Sequence, residues 1–163
     1  ESAGAEEDVD EARDGEARGR AAKWGTVVQV DGVSGSELKA GAATETVSAN
    51  AVPDDKMILD VGADTLAHLA GRFETASTVV WNGPLGAFEI PPFDRGTTEA
   101  ARLVAMRSKQ GELVSVAGGG DTVAALNEAG VADDFTYVSA AGGAFLEWME
   151  GVELPGVAAL SRD

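Results

Sequence analysis

Three glycine-rich turns each follow an apolar run that has the length and composition of a β-strand. They occupy residues 82–86, 118–122 and 140–143. If the three runs are neighbouring parallel strands, the turns lie together at the carboxyl edge of the sheet, where open α/β sheets bind ligands. Glycine lets the backbone approach a ligand closely, and a helix that follows such a turn directs N–H groups at anions. Three such turns on one edge favour a phosphate-binding site.

The second turn combines three glycines, Gly118, Gly119 and Gly120, with a carboxylate and a hydroxyl at a predicted helix start. Asp121 could hold a Mg²⁺ ion that bridges nucleotide phosphates, or it could be the N-cap of the helix. Thr122 could donate a hydrogen bond to a phosphate oxygen or stabilise the same helix start. The residue types alone leave both pairs of alternatives open.

Two further polar residues lie in or just after the first turn. The Asn82 amide could contact phosphate or close the turn with Gly83 and Pro84. Glu89 could accept hydrogen bonds from ribose hydroxyls or be an ordinary exposed carboxylate. His68, the single histidine, falls in the middle of a predicted helix. We expect it at the surface or its boundary, without a catalytic role.

The elements that would position these residues alternate along the chain. Apolar and β-branched runs predict strands, and apolar residues at helical spacing behind a capping residue predict helices. The predicted strands are residues 26–30, 57–61, 78–81, 113–117 and 136–139; the helices begin near 64, 96, 121 and 143 and end near 75, 109, 130 and 150. Residues 31–50 read as a loop with at most one short strand. This alternation indicates an α/β domain with a parallel sheet covered on both faces.

Composition narrows the classes of function. The 163 residues carry a formal net charge of −16, which disfavours nucleic acid and anionic lipid as partners. The acidic surface could serve solubility or adaptation to high salt. Without cysteine and with one histidine, thiolate and multi-histidine metal sites are excluded.

Residues 1–25 predict an acidic, helical segment and residues 26–163 the α/β domain. No run suits a membrane span or signal peptide, so we expect a cytoplasmic monomer.

Several blocks of the sequence resemble phosphoglycerate kinases. They occur in that family's order and at its spacing, most strongly between residues 52 and 160. The blocks are Leu59-Asp60-Val61-Gly62; Trp81-Asn82-Gly83-Pro84-Leu85-Gly86-Ala87-Phe88-Glu89 with Phe93 and Gly96-Thr97; Gly118-Gly119-Gly120-Asp121-Thr122; and Gly142-Gly143-Ala144-Phe145-Leu146-Glu147 with Leu154-Pro155-Gly156-Val157.

The resemblance implies a fold and an activity. The fold is a Rossmann-like three-layer domain with a mainly parallel sheet, the C-terminal, nucleotide-binding domain of the family, incomplete at its N-terminal side. The activity is phosphoryl transfer between 1,3-bisphosphoglycerate and ADP, or 3-phosphoglycerate and ATP in reverse, in glycolysis and gluconeogenesis. The implied cofactor is Mg²⁺ held with ADP or ATP.

Residue roles follow by position from the same resemblance. By this resemblance, Asn82 would contact the nucleotide phosphates and Glu89 would bind the ribose. Gly118, Gly119 and Gly120 would line the nucleotide site, Asp121 would coordinate Mg²⁺, and Thr122 would contact the transferring phosphoryl group. Gly142 and Gly143 would present helix amides that stabilise this group in the transition state.

The sequence also departs from the family. Residues 139–143 read Ser-Ala-Ala-Gly-Gly where the family has serine, threonine and three glycines, and Phe145 replaces a serine. The N-terminal domain that binds phosphoglycerate in the family has no counterpart here, so we expect the chain alone to be inactive. Two alternatives remain: a catalytically inactive nucleotide-binding fragment or degenerate paralogue, and a protein that binds a partner through its acidic segment.

Overall fold

The computed structural model describes residues 27–141 and Gly151. The described part contains two three-stranded sheets, three α-helices and one short 3₁₀ helix. Their bounds are β1 Asp31–Gly35, β2 Thr44–Ser48, β3 Met57–Val61, α1 Ala63–Thr75, β4 Thr78–Asn82, α2 Arg95–Lys109, β5 Val114–Gly118, α3 Gly120–Glu128, the 3₁₀ helix Ala132–Asp134 and β6 Tyr137–Ser139. The predicted helices within residues 1–25 and 143–150, and the candidates Gly142 and Gly143, lie outside the described residues.

The second sheet is parallel, with strand order β4-β5-β6. Its strands and the helices between them begin and end within one or two residues of the predicted positions. The sequence prediction of an α/β domain built on a parallel sheet is therefore confirmed.

One face of this parallel sheet carries the hydrophobic core. Trp81 and Ala117 point from the strands into it, and the rings of Trp81 and Phe135 meet edge to face with centroids 6.4 Å apart. Trp81 is thus a packed core aromatic, 8% exposed. The helices contribute small and branched side chains to the same cluster: Ala100, Ala101, Val104 and Ala105 from α2, and Leu126 from α3.

The other face of the parallel sheet has little cover from residues 27–141. Side chains alternate along a strand, so Val80 and Val114 point away from the core, and they are 42% and 48% exposed. Tyr137 on β6 is 56% exposed. We expected helices to cover both faces of the sheet. Among the described residues, helices α2 and α3 cover the face that carries Trp81 and Ala117, and the opposite face has no such cover.

The first sheet differs most from the prediction. It is antiparallel, with order β2-β1-β3, whereas β3 was expected in the parallel sheet and residues 31–50 as loop. The strand predicted at 26–30 is also wrong over its described part, residues 27–30. The backbone N–H groups of Val30 and Asp31 donate to the Thr65 hydroxyl, so the chain there is bound to α1. The strand begins at Asp31 instead, and it pairs with β2 and β3.

The N-terminus of α1 is capped from outside the helix. The N-cap residue is Gly62, which has no side chain. The Asp31 carboxylate accepts hydrogen bonds from the Asp64 and Thr65 N–H groups, at 3.1 and 2.8 Å, and from the Thr65 hydroxyl at 2.7 Å. Burial alone raises the pKa of the Asp31 carboxyl, but these bonds outweigh burial and hold the pKa below its ordinary value.

Replacing Asp31 with asparagine should destabilise the fold. The loss of a charged acceptor at a helix N-terminus is expected to lower the free energy of unfolding at pH 7 by about 1–2 kcal/mol. A carboxyl whose pKa is lowered by folding stabilises above its unfolded pKa, near 4, and loses this effect as the pH falls through the folded pKa. Urea unfolding should therefore show a gap between wild type and variant at pH 7 that closes as the pH falls below about 4. The exposed Asp54, changed to asparagine, is the control, and a gap independent of pH would contradict this role.

No helix in the described part of the chain is long and apolar enough to cross a membrane. His68 is exposed on α1, as predicted.

Candidate functional site

The carboxyl ends of the three parallel strands lie side by side. Asn82 at the end of β4 pairs with Gly118 at the end of β5, and Gly118 pairs with Ser139 at the end of β6. The three glycine-rich turns therefore begin at one edge of the sheet, as the sequence predicted.

Gly119 brings these turns into contact. Its N–H donates to the Ser139 carbonyl at 3.0 Å. It has φ +102°, and a Cβ built on it would lie 3.1 Å from Asn82 Oδ1 and 3.5 Å from Thr122 Oγ1. The side chains of Asn82 and Thr122 thus converge on the backbone of Gly119, and the lack of a side chain at Gly119 keeps that space open.

Helix α3 begins at this convergence with its amide groups available. The first N–H that bonds within the helix is that of Val123, to the Gly119 carbonyl. The preceding N–H groups, of Gly120, Asp121 and Thr122, are the ones that a helix start leaves without an intrahelical acceptor. With the helix dipole, they form an anion-binding end that faces the carboxyl edge of the sheet.

Asp121 lies exposed in the first turn of α3 and does not cap it. The N-cap residue is Gly119, and the helix start has no side-chain cap hydrogen bond. Of the two alternatives that the sequence left open for Asp121, the N-cap is therefore wrong. Within residues 27–141 and Gly151, no group of three or more acidic or histidine side chains could hold a metal ion. A cation at Asp121 would thus need ligands from a bound phosphate.

Thr122 is 2% exposed, and its hydroxyl already has a protein partner. The oxygen accepts a hydrogen bond from the Gly83 N–H at 2.7 Å and so ties the first turn to α3. The predicted contact between Thr122 and the transferring phosphoryl group stays a prediction.

The first turn does not offer its backbone to an anion in the way that the sequence suggested. Two of its N–H groups donate within the protein: that of Gly83 to the Thr122 hydroxyl at 2.7 Å and that of Leu85 to the Thr97 hydroxyl at 3.0 Å. The Ala87 N–H, just after the turn, donates to the Leu59 carbonyl at 2.9 Å. The indole N–H of Trp81 donates to the Gly83 carbonyl at 2.6 Å. This turn is a rigid support that presents the exposed Asn82 side chain.

The start of α2 likewise faces the protein interior. The Gly96 N–H donates to the Asp60 carboxylate at 2.7 Å, and the Val61 N–H donates to the same group at 2.8 Å. Asp60 is 1% exposed. Burial raises the pKa of the Asp60 carboxyl, against the effect of its two hydrogen bonds. Asp60 had no predicted role, although a carboxylate in the apolar run 57–61 could have signalled a buried cap.

Glu89 is exposed beyond the buried Phe88 in the loop that leads to α2. The structured region from 27 to 141 contains no hydrogen bond to its carboxylate. The structure therefore does not connect Glu89 with Asn82 or Asp121, and its ribose contact stays a prediction.

Comparisons with known proteins identify the family of the chain. The sequence profile of the family described as phosphoglycerate kinase matches residues 1–152. The chain belongs to the phosphoglycerate kinase family. It is 66% identical over 136 residues to the phosphoglycerate kinase of Allorhizobium ampelinum, covering 83% of this chain and 34% of that protein. It is 60% identical over 158 residues to that of Cereibacter sphaeroides, covering 96% of this chain and 40% of that protein.

Solved structures of phosphoglycerate kinases share the fold. That from Coxiella burnetii superposes with a TM-score of 0.73 at 42% identity and covers 80% of this chain and 33% of its own. That from Pyrococcus horikoshii gives 0.67 at 28% identity, over 82% and 32% of the two chains. The chain thus spans about a third of the length of the phosphoglycerate kinases it matches.

Proposed function

We propose that this chain supplies the Mg-nucleotide site of a phosphoglycerate kinase. The observation that carries the proposal is the start of α3. There, amides without intrahelical acceptors, an exposed carboxylate that caps nothing, and the Asn82 amide meet at the carboxyl edge of a parallel sheet. Family membership supplies the reaction class.

In the proposed reaction, an oxygen of the ADP β-phosphate attacks the phosphorus of the acyl phosphate in 1,3-bisphosphoglycerate. The bond from that phosphorus to the acyl oxygen breaks, 3-phosphoglycerate leaves as a carboxylate, and ATP forms. Such a transfer needs positioning and stabilisation of charge rather than a side-chain nucleophile. A helix start and glycine turns are suited to both tasks.

Each residue at the edge has a task in this proposal. The N–H groups at the start of α3 hold phosphate oxygens, and Asn82 binds them from the neighbouring strand. Gly118, Gly119 and Gly120 let the nucleotide lie against the backbone. The roles inferred for Glu89, Thr122, Gly142 and Gly143 rest on the family resemblance.

Asp121 suits a Mg²⁺ ion that arrives with the nucleotide. Mg²⁺ in phosphoryl-transfer sites is commonly held by one or two carboxylates together with substrate phosphates, and it keeps several waters. One exposed carboxylate beside an anion-binding helix start fits that ligand set. When bound, the ion would neutralise charge on the phosphates.

Removing the carboxylate of Asp121 should weaken the Mg-dependent part of nucleotide binding. We expect Asp121→Asn to weaken Mg-ADP binding by about tenfold or more, and to change metal-free ADP binding little, because the variant loses one charged ligand of the cation. Isothermal titration calorimetry with and without Mg²⁺ measures this. The exposed Asp133, changed to asparagine, removes the same charge elsewhere. Equal effects of the two variants would contradict a specific Mg²⁺ role.

We expect the 163 residues alone to form no ATP from 1,3-bisphosphoglycerate and ADP. In the proposal, the acyl phosphate is bound by a part of phosphoglycerate kinases outside the third that these residues match, and transfer requires both substrates to be aligned. A coupled ATP assay on the purified chain tests this expectation, with the intact parent enzyme as the positive control. Turnover near that of the parent would refute it.

A nucleotide-binding protein without catalysis is the second candidate. The observation that favours it is the pair of exposed methyl groups of Ala140 and Ala141, directly after β6 at the carboxyl edge. They stand where the family resemblance expects a hydroxyl and a glycine. Absence of turnover in a full-length enzyme that carries these two alanines, and a gain of turnover when threonine and glycine are restored, would support this alternative.

A further inference from the structure

Thr97 is a buried polar residue for which the reaction gives no task. It lies in the first turn of α2 and is 1% exposed. Its hydroxyl oxygen accepts a hydrogen bond from the Leu85 N–H at 3.0 Å. Leu85 belongs to the turn that begins directly after Asn82, so this bond crosses from α2 to the support of a proposed phosphate ligand.

We propose that Thr97 is a positioning residue of the nucleotide site. It sets the orientation of Asn82 by holding residues 83–86 of the first glycine-rich turn. The proposal rests on the proposed nucleotide-binding function. Thr97 touches neither the nucleotide nor the reacting atoms; it acts through the backbone of Leu85.

The hydroxyl is itself held in place by contacts that do not involve the nucleotide site. The residue before it, Gly96, donates its N–H to the buried Asp60 carboxylate at 2.7 Å, which fixes the start of α2 to the end of β3. The same strand accepts the Ala87 N–H at the Leu59 carbonyl. Thr97 therefore presents its acceptor from a fixed point, and the turn docks onto it.

The turn has a matching bond at its other end. The Gly83 N–H donates to the Thr122 hydroxyl at 2.7 Å. The N–H groups of Gly83 and Leu85, two residues apart, are therefore each bound by a buried threonine from a different helix. Pro84 lies between them and has no N–H of its own. With both donors held, the chain leaving Asn82 has one direction, and the Asn82 side chain points along the edge beside Gly119.

The alternative is that Thr97 only accepts the hydrogen bond of the Leu85 N–H and stabilises the fold. The two readings differ at Asn82. A purely structural bond would change stability and leave the Asn82 side-chain amide and nucleotide affinity as they were. If the bond positions Asn82, removing the Thr97 acceptor would change both the Asn82 side-chain amide and the nucleotide affinity.

Three variants of the full chain separate these readings. Thr97→Val keeps the shape and removes the acceptor, Thr97→Ser keeps the acceptor, and Thr98→Val makes the same change at the next residue. Thr98 is half-buried, and its hydroxyl makes no hydrogen bond within the described residues. The readouts are amide hydrogen exchange at Leu85, the NMR signals of the Asn82 side-chain amide, and Mg-ADP affinity by calorimetry.

We expect Thr97→Val to speed exchange at Leu85 by about tenfold, to move the Asn82 side-chain signals, and to weaken Mg-ADP binding by about fivefold. Thr97→Ser should restore all three, and Thr98→Val should change none. If Thr97→Val does not fold, Thr97→Cys, whose thiol is a weaker acceptor of similar size, takes its place.

Unmoved Asn82 signals in a folded Thr97→Val variant would overturn the proposal, as would Mg-ADP affinity equal to wild type. If wild type itself does not bind Mg-ADP, the proposed function fails. Movement of the Asn82 signals in Thr97→Val that serine reverses would then still establish positioning of the turn, and its absence would refute it.

Discussion

Replacing Gly86 with alanine is expected to lower the free energy of unfolding by about 3 kcal/mol, as overpacking of a rigid core can. A Cβ at Gly86 would overlap the buried Asp60 carboxylate and lie 2.8 Å from the Phe93 carbonyl oxygen. Neither neighbour can move freely. The carboxylate is fixed by the Val61 and Gly96 N–H groups, and the carbonyl is backbone.

The matched control for this prediction is Gly71→Ala. Gly71 lies exposed on α1, and a Cβ there would meet nothing within 4 Å. Alanine is the better helix former, so this variant should gain up to about 1 kcal/mol. Urea unfolding of both variants measures the contrast. A Gly86→Ala variant as stable as wild type would show that the turn does not lie against Asp60.

Replacing Gly119 with alanine is expected to damage stability and nucleotide binding together. Gly119 has φ +102° and ψ 144°, a backbone conformation that is essentially restricted to glycine and costs other residues about 1–3 kcal/mol. The added methyl group would also lie 3.1 Å from Asn82 Oδ1, in the space between Asn82 and the start of α3. We therefore expect Mg-ADP affinity to fall by about tenfold or more.

Gly111→Ala is the control for backbone strain alone. Gly111 has φ +74° in the turn before β5, and a Cβ there would meet nothing within 4 Å. It should lose about 1 kcal/mol of stability and no nucleotide affinity. Calorimetry and urea unfolding on both variants separate strain from the site. Equal nucleotide affinity in the Gly119 and Gly111 variants would contradict the placement of the phosphates at Gly119.

The parallel half of the fold could be predicted from the sequence because its signals are local. Runs such as Val79 to Trp81 are apolar and β-branched, and each ends in a glycine turn. The antiparallel sheet could not. Strand Asp31–Gly35 is built of glycine, aspartate and serine around one valine, with weak strand preference, and it forms because it pairs with both Thr44–Ser48 and β3. Thr44–Ser48 contains threonine and valine, but it is short and largely exposed and pairs with β1 alone within the described residues.

The site was predictable to the same limit. Asn82, Gly119 and Asp121 carry recognisable chemistry in recognisable turns, and the structure brings Asn82 to Gly119 at the start of α3. The roles of Asp60 and Thr97 depend on contacts with Gly96, 36 residues away, and Leu85, 12 residues away. Buried hydrogen bonds of this kind have no signature in sequence spacing, since the fold alone decides which donor meets which acceptor.

The most direct test of the proposed Mg-nucleotide site is paramagnetic NMR on the chain titrated with ADP and Mn²⁺ in place of Mg²⁺. If the nucleotide site lies at this edge, Mn²⁺ with ADP should selectively broaden the amide signals of residues 119–122 and the side-chain amide of Asn82. Mn²⁺ without ADP, and Asp121→Asn with ADP, should leave these signals much sharper.

Broadening centred elsewhere would contradict the account. One competing location is the cavity of about 490 Å³ between the antiparallel sheet and helices α1 and α2, lined by Val33, Arg95 and Glu99 among others. Selective ADP-dependent broadening there, or none at residues 119–122 under saturating Mn-ADP, would show that the carboxyl edge of this sheet is not the nucleotide site.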